Sequence, residues 1–216
     1  MSLVHKTVVE AVETVVKNSQ VKPRKFIETV ELQVGLKNYD PKKDPRFNVP
    51  LILPCMPKAN VKIICLADAA DCGRCEKENV EFLAFEALGT QFNKDAKMIK
   101  RYFKRYDVVL VSKSQVRNIT KVLGPSLTKI NRQPFPLNPE DSLTNKVNEI
   151  KRTVKVQFKK VLGLNWAVGL VNSSSEDVTR NIMLTINTLV EQLKKGWQNI
   201  KTIHICSTMG TSVRIF

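Results

Sequence analysis

The segment that decides the fold is IHICSTMG, residues Ile203–Gly210, in which apolar and polar side chains alternate before small polar residues follow. Alternation with a period of two predicts a β-strand with one buried face. After Cys206 the alternation stops, and the chain continues with two hydroxyl side chains, a flexible thioether and a glycine. Since glycine has no Cβ, another backbone or a nucleic acid can approach it closely. The segment therefore predicts either a contact surface at a strand end or an ordinary turn.

A second alternating segment, Thr29–Lys37, predicts another strand. Every second residue from Val30 to Leu36 is apolar, which is the pattern of an antiparallel strand with one face in a core. Lys25 and Phe26 precede it. An aromatic side chain beside basic ones can stack on a nucleic-acid base, but it can equally close a core, and by itself the core is the commoner outcome.

The composition favours a globular protein with a polyanionic partner. A chain of 216 residues with 43% hydrophobic content can bury a substantial core, in one large domain or two small ones. Its 35 Lys and Arg residues against 20 Asp and Glu residues produce a net charge of +15. Such a charge concentrates polyanions and makes their binding salt-dependent, whereas solubility alone needs a net charge of only about 2 to 8. We therefore expect nucleic acid as the partner.

The sequence predicts neither membrane insertion nor export. It contains no run of about 18 apolar residues, and its first ten residues mix charges with valines. Five cysteines at irregular spacing fit a reducing compartment better than a disulfide framework.

Enzymatic motifs are weak in this sequence. Cys72 and Cys75 form a Cys-x-x-Cys pair, but a zinc site needs a second pair or nearby histidines, and a redox dithiol is less favoured than two incidental thiols. No G-x-G-x-x-G or P-loop motif follows a predicted strand. Asp68 and Asp71 are expected to cap the next helix, and His204 is expected to pack. We predict no catalytic residue, cofactor or metal.

Two proline-rich stretches, Asn38–Pro57 and Gln133–Pro139, predict linkers on either side of an α/β unit. Between them the pattern predicts strand, helix, helix, strand and helix, which is typical of a parallel sheet covered by helices. The predicted elements are Val61–Leu66, Glu76–Leu88, Asp95–Arg105, Val108–Val111 and Ser114–Leu123. We therefore predict a discontinuous domain, residues 1–57 plus 151–216, into which a second domain, residues 58–150, is inserted.

The discontinuous domain is predicted to be a small α+β sheet with helices on one face. Ser2 begins a helical pattern that runs to Val15. Ser173 with Glu176 has the spacing of a capping box, and the apolar stripe of a core-facing helix follows it. The uncovered face of the sheet is expected to carry polar and basic side chains.

Two basic regions are candidates for RNA contact, since lysines contact phosphates while hydroxyls and main-chain groups contact 2′-hydroxyls. One is a predicted strand with a basic, amide-bearing outer face, made of Lys155, Gln157 and Lys159. The other lies on the predicted helix after Asp95 and is equally consistent with a solvated charged face. It consists of Lys94, Lys97, Lys100, Arg101, Lys104 and Arg105.

The chain resembles the ribosomal L-one family in short strings whose order and spacing together are specific. These are KFIETVEL (Lys25–Leu32), KNYDP (Lys37–Pro41), YD (Tyr106–Asp107), LGP (Leu123–Pro125), KKGWQN (Lys194–Asn199) and STMG (Ser207–Gly210). The similarity covers essentially the whole chain and is greatest to the cytosolic eukaryotic form, called ten-a in the older naming.

The resemblance implies a structural protein of the large ribosomal subunit, monomeric within the cytosolic ribosome. It implies an inserted Rossmann-like three-layer α/β domain, an rRNA site in the discontinuous domain, a mobile stalk near the tRNA exit site and a role in releasing deacylated tRNA. Some members also bind their own mRNA, so an RNA-binding translational repressor acting off the ribosome is one alternative. A nucleotide- or thiol-dependent enzyme on the inserted domain is the other, less favoured one. The implied rRNA contacts are Lys25, Phe26, Glu28, Thr29, Ser207, Thr208, Met209 and Gly210.

Overall fold

A computed structural model of the protein describes residues 5–92, 95–123, 125–130, 132, 134–158 and 161–216. Ser2, Lys94 and Lys159, which enter the sequence predictions, lie outside these ranges. The chain forms two compact units, one from the residues up to Ala59 together with Lys151–Phe216, and the other from Asn60–Ile150. The predicted α/β class is confirmed, because helices accompany antiparallel sheets and a parallel sheet. Within the described ranges, no helix is long and apolar enough to span a membrane.

The elements follow one another as helices and strands along the whole chain. In order they are α1 (His5–Val21), β1 (Thr29–Leu36), β2 (Asn48–Ile52), β3 (Ile63–Ala67), α2 (Ala69–Lys77), β4 (Phe82–Ala84), α3 (Phe85–Phe92), α4 (Ala96–Phe103), β5 (Val108–Ser112), α5 (Val116–Leu123), α6 (Ser126–Lys129), β6 (Pro134–Leu137), α7 (Leu143–Arg152), β7 (Thr153–Gln157), β8 (Gly163–Leu170), α8 (Ser175–Gln192), β9 (Ile200–Ser207) and β10 (Val213–Arg214). Short 3-10 turns lie at Lys113–Gln115 and Gly196–Asn199.

The first unit is built on an antiparallel sheet in the order β10, β9, β1, β8. Its central strand β1 alternates between half-buried and buried residues, which confirms the predicted strand. Residues of α1 and α8 pack with the buried side chains of β1, β8 and β9 in one core. Val8, Val12 and Val15 of α1 are fully buried, so the helical pattern predicted for the start of the chain is confirmed.

Strand β8 was not predicted, because its glycines resemble a loop. A Cβ on Gly169 would lie 2.8 Å from Cγ2 of Val178 in α8. The glycine therefore marks a strand position that a helix approaches closely. Helix α8 does not begin with the predicted capping box of Ser173 and Glu176, so that prediction is wrong. The residue before the helix is Ser174, and its side chain caps none of the helix amides that the structure describes.

The first proline-rich stretch is not simply a linker. Strand β2 within it pairs antiparallel with β7, and Pro50 lies opposite Lys155 in a two-stranded ribbon. Proline is tolerated there because an edge strand has backbone positions that need no amide donor. The ribbon is held by Phe158, whose ring centroid lies 4.8 Å from that of Tyr39 and 5.8 Å from that of Phe47.

The second unit has a fully parallel sheet in the order β4, β3, β5, β6. The strands predicted around Ile63 and Val108 are confirmed. The helix predicted over Glu76–Leu88 is wrong, because Asn79 takes a positive φ of 51° after α2 and the chain then enters β4. The second proline-rich stretch is also not a plain connector, since Pro134–Leu137 forms the edge strand β6.

Candidate nucleic-acid interface

The beginning of β1 and the end of β9 are tied together by two threonines. Val30 lies opposite Ser207 in the sheet. Beyond that pair, the Thr208 amide donates to the Thr29 carbonyl at 3.1 Å, and the Thr29 amide donates to the Thr208 hydroxyl at 3.1 Å. The two hydroxyls are 2.9 Å apart. These bonds bring the start of β1 against the STMG segment.

The STMG segment forms a turn that needs its glycine. The Gly210 amide donates to the Ser207 carbonyl at 3.2 Å, and a Cβ on Gly210 would lie 2.3 Å from the Ser207 hydroxyl oxygen. Any other residue must displace that hydroxyl, since real Cβ atoms do not approach another atom so closely. The turn leaves Met209 60% exposed at its tip.

Two buried polar groups meet a surface crevice at this sheet end. Glu28 is only 6% exposed, and its Oε1 lies 3.7 Å from Nε of Arg24, while its Oε2 has no hydrogen-bond partner among the described residues. Ser207 is 2% exposed, and its hydroxyl is likewise without a partner in the described part of the chain. Both line a crevice of about 300 Å³ together with Met209 and Gly210.

Buried polar atoms without partners are uncommon, and each destabilises a fold by about 1–3 kcal/mol. Two of them in a single crevice therefore call for an explanation. The carboxylate can only accept a hydrogen bond, whereas the serine hydroxyl can donate or accept one. A ligand that offers both donors and acceptors would satisfy the pair.

A second groove lies on the other side of Glu28. It has a volume of about 640 Å³ and is lined by Arg24, Lys25, Phe26 and the loop after β8. Phe26 is 53% exposed, so it does not close the core. Closing a core was the commoner of the two outcomes expected from the sequence, and it is not the one observed. Together these placements define the strand-end surface, which consists of Lys25, Phe26, Glu28, Thr29 and Ser207–Gly210.

Several residues of this region were missed by sequence reasoning. Asn18 and Lys22, at the end of α1, form one wall of the crevice, and Arg24 touches both cavities. Lys22 and Arg24 flank a proline, and this small basic cluster was the available signal. Asn172 in the loop after β8 carried no such signal, because the strand before it was itself missed.

The structure does not bring Lys155 and Gln157 to the strand-end surface. Both lie in the β2–β7 ribbon, and Gln157 immediately precedes Phe158, which packs on Tyr39. Tyr39 follows the Leu36 end of β1, and that strand of eight residues is roughly 25 Å long. Gln157 thus lies toward the other end of the sheet from Thr29, Lys155 lies farther along the ribbon opposite Pro50, and Lys159 is outside the described residues.

The uncovered face of the main sheet is polar, but the lysines predicted for it belong to the ribbon. Polar side chains on this sheet face form hydrogen bonds with one another. The Asn165 amide donates to Glu31 at 2.8 Å, and the Gln33 amide donates to the Cys206 sulfur at 3.2 Å. The basic side chains gather instead around the strand end. The prediction of a basic sheet face is therefore wrong in its location.

Basic residues on α4 form a separate exposed face in the second unit. The helix buries Ile99 and Phe103, while Lys97, Arg101 and Lys104 are exposed. Its N-terminus is capped by Asp95, which accepts from the Lys97 amide at 2.8 Å. This face has the charge to contact phosphates, and it equally has the form of an ordinary solvated helix face.

The acidic and thiol groups of the second unit make local contacts. Asp68 caps α2 by accepting from the Ala69 amide at 2.9 Å, as predicted. The same prediction is wrong for Asp71, which lies buried within α2 and accepts hydrogen bonds from Arg74 and from the Ser112 hydroxyl.

A hydrogen bond to Cys75, together with burial, raises the pKa of the Cys65 thiol, and burial raises the pKa of the Cys72 thiol. The same hydrogen bond lowers the pKa of the Cys75 thiol, and burial opposes that shift. A raised pKa leaves less thiolate, which is the reactive form, so the shifts disfavour reaction at Cys65 and Cys72. Over the described ranges, no group of three or more His, Cys, Asp or Glu side chains is arranged to hold a metal ion.

Comparison with known proteins agrees with the resemblance found in the sequence. A family model described as "Ribosomal protein L1p/L10e family" matches residues 15–211. The chain is 44% identical over 206 residues to large ribosomal subunit protein uL1A of Schizosaccharomyces pombe, covering 95% of both chains. It is 42% identical over 210 residues to uL1 of Drosophila melanogaster, covering 97% of this chain and 96% of the relative. It is 43% identical over 207 residues to uL1 of Oryza sativa subsp. japonica, covering 96% and 95%. These matches span the strand-end surface and both units, and the chain therefore belongs to the ribosomal protein L1p/L10e family.

Proposed function

We propose that this protein is a structural constituent of the large ribosomal subunit, and that it binds large-subunit rRNA with the strand-end surface. The observation that carries the proposal is a pair of buried polar atoms in one crevice, Glu28 Oε2 and Ser207 Oγ, neither of which has a hydrogen-bond partner in the described part of the chain. The names of the relatives, which are large ribosomal subunit proteins, support the same assignment.

RNA offers hydrogen-bond donors and acceptors for the two buried atoms that have no partner among the described residues. A ribose 2′-hydroxyl can donate to the Glu28 carboxylate and accept from the Ser207 hydroxyl. The glycine of the STMG turn leaves room for the Ser207 hydroxyl, and the exposed thioether of Met209 provides an apolar contact. Arg24 and Lys25 provide phosphate contacts, which position RNA without reading its sequence. DNA lacks the 2′-hydroxyl, so the surface favours RNA.

The resemblance supports a more detailed role, which we propose with it. The protein would help form the mobile stalk beside the tRNA exit site of the cytosolic ribosome and assist release of deacylated tRNA. The unit that contains both chain ends would be the rRNA-binding domain and the other an inserted domain. Lys155, Gln157 and Lys159 stay predicted RNA contacts outside the strand-end surface. A non-catalytic function accords with membership of a ribosomal protein family.

A salt titration tests the proposal. Binding of the purified protein to a stalk-region rRNA fragment is compared with binding to a scrambled RNA of equal length and pairing. Both affinities fall as the salt concentration rises, and the logarithm of each affinity falls against the logarithm of the salt concentration with a slope of roughly 0.7 to 0.9 per phosphate contact. Only the difference in affinity between the two RNAs therefore reports recognition. We expect the preference for the rRNA fragment to persist at high salt.

If the two RNAs bind equally well and both affinities are lost as the salt concentration rises, the proposal is contradicted. The protein would then be a general polyanion binder. The same assay distinguishes the off-ribosome alternative when the leader of the protein's own mRNA is added as a third RNA. Tighter binding to that leader than to the rRNA fragment would favour a translational repressor, which would use the same surface.

A further inference from the structure

A pocket in the second unit combines aromatic and acidic side chains. Its volume of about 520 Å³ lies within the usual range for small-ligand sites. Phe82, Tyr102 and Tyr106 provide aromatic walls, and Glu76 and Glu81 provide carboxylates. No lysine or arginine is among the described residues that line the pocket, although the chain contains 35 of them. The pocket is therefore acidic in a strongly basic protein.

The backbone on both sides of the pocket is fixed by hydrogen bonds. Residues Asn79–Phe82 lead into β4 on one side, and Tyr106 precedes β5 on the other. The Glu81 carbonyl accepts from the Cys65 amide of the central strand β3 at 2.9 Å. The Tyr106 amide donates to the Phe103 carbonyl at 3.3 Å, which closes the turn after α4. Because both walls are already ordered, little ordering entropy opposes the binding of a ligand.

The two tyrosines are held beside each other and beside one carboxylate. The ring centroids of Tyr102 and Tyr106 are 5.7 Å apart, with an angle of 50° between the ring planes. Burial, together with hydrogen bonds to Glu81 and Tyr102, raises the pKa of the Tyr106 hydroxyl. The Tyr106 phenol is therefore uncharged at neutral pH, so its ring offers a neutral aromatic face while the glutamates supply the negative charge.

The carboxylates of this region lack a cationic partner. Neither Glu76 nor Glu81 forms an ion pair with any residue that the structure describes. Glu78, which lies between them in the sequence, has an Oε2 that is buried without a hydrogen-bond partner over the described ranges. Carboxylates repel the phosphates of RNA, whereas a cation can pair with carboxylates and rest on aromatic faces. The complementary ligand is therefore cationic.

We propose that this pocket binds an arginine side chain of a protein partner, with the guanidinium against Tyr102 and Tyr106 and its N–H groups directed to Glu76 and Glu81. Arginine fits this combination better than lysine, because a planar guanidinium stacks on aromatic rings and presents its donors in a fork that matches a carboxylate. The site lies wholly within the second unit, so it does not depend on the proposed rRNA binding.

A peptide titration followed by NMR tests the proposal. The isotope-labelled chain, without RNA, is titrated with the acetylated and amidated peptide Gly-Gly-Arg-Gly-Gly. The control peptide has citrulline in place of arginine, which keeps the shape of the side chain and removes its charge. We expect the amide signals of Asn79, Glu81 and Tyr106 to shift, and the citrulline peptide to bind about tenfold more weakly, since the charge-assisted hydrogen bonds and the cation–π contact are lost.

A matched pair of variants assigns the binding to the pocket. Glu81→Gln should lower the affinity for the arginine peptide by about fivefold, while the glutamine oxygen can still accept from Tyr106. Glu86→Gln makes the same change in net charge at an exposed position of α3 outside the pocket, and it should have little effect. Thermal unfolding checks that both variants are folded.

Three results would overturn the inference. The first is equal binding of the arginine and citrulline peptides, or no binding of either. The second is an equal loss of affinity in Glu81→Gln and Glu86→Gln, which would reflect net charge alone. The third is tighter binding of spermidine than of the arginine peptide at the same amide signals, which would make the pocket a site for free polyamines and not for a protein side chain.

Discussion

The strand-end surface and the exposed face of α4 are both basic, but they differ in what accompanies the charge. On α4, Lys97, Arg101 and Lys104 lie in solvent on a helix whose other face is buried. At the strand end, basic side chains accompany exposed apolar side chains and two buried polar atoms that have no partner among the described residues. Charge attracts RNA of any sequence, whereas buried groups and close-approach positions depend on a particular shape. We therefore expect affinity to reside in both surfaces and specificity in the strand end alone.

The largest expected effect comes from the buried carboxylate. Glu28→Gln replaces one carboxylate oxygen by an amide nitrogen and removes the negative charge that strengthens the proposed hydrogen bond from a ribose 2′-hydroxyl. The affinity for rRNA should therefore fall by about 10- to 100-fold. Glu31→Gln is the matched control, since Glu31 already accepts from Asn165 on the uncovered face of the sheet. Filter binding at two salt concentrations measures both variants. If Glu28→Gln and Glu31→Gln lose the same affinity for rRNA, the strand-end surface is not distinguished from the uncovered face of the sheet.

Gly210→Ala should weaken rRNA binding by about tenfold. The added Cβ would meet the Ser207 hydroxyl at 2.3 Å, which forces that hydroxyl out of the crevice and removes about one hydrogen bond to RNA. Gly163→Ala is the control, because its Cβ would meet no described atom within 4 Å. Isothermal titration with the rRNA fragment measures both. Wild-type affinity for a folded Gly210→Ala protein would show that the turn does not contact RNA.

Two exposed methionines allow a direct test of the two regions. Met209 of the STMG turn is 60% exposed, and Met98 on α4 is 53% exposed. Met209→Ala should lower rRNA affinity by about fivefold, since apolar surface buried against RNA is lost, and Met98→Ala should change it little. Neither change should alter the melting temperature appreciably. A larger loss from Met98→Ala would place specific recognition on the second unit.

The smallest effect is expected from the α4 charges. Lys104→Ala should weaken rRNA and scrambled RNA together by about twofold and lower the salt slope by roughly 0.7 to 0.9 if the lysine contacts a phosphate. The ratio of the two affinities should not change. A selective loss of rRNA binding would contradict the assignment of specificity to the strand end, and an unchanged slope would identify α4 as a solvated face.

Local patterns predicted the elements that have one buried face. Strand β1 and the terminal strand β9 follow their alternation, and α1 buries the valines at helical spacing. The errors lie where tertiary contacts override local preference. Gly169 sits in a strand because Val178 packs over it, and prolines 50 and 134 occupy edge strands that only pairing partners define. A single sequence does not reveal those partners.

The candidate site shows the same division. The residues of the strand-end surface were predicted from the sequence, since the family resemblance implies them and the two alternating segments begin and end there. The sequence could not show that Glu28 Oε2 and Ser207 Oγ are buried without a hydrogen-bond partner among the described residues, because burial depends on α1 and on strands distant in the chain. It also assigned Lys155 and Gln157 to the main sheet, although pairing with β2 places them in the ribbon.

The sequence by itself determined the charge, the mixed α/β class and the residue types available for RNA contact, because these follow from composition and from periods within one element. Only the tertiary structure decided which of those residues share a surface. Thr29 and Thr208 are 179 positions apart, yet their hydroxyls lie 2.9 Å from each other. Their proximity depends on the register of two antiparallel strands, which is set by the packing of a whole sheet against two helices and not by any local pattern.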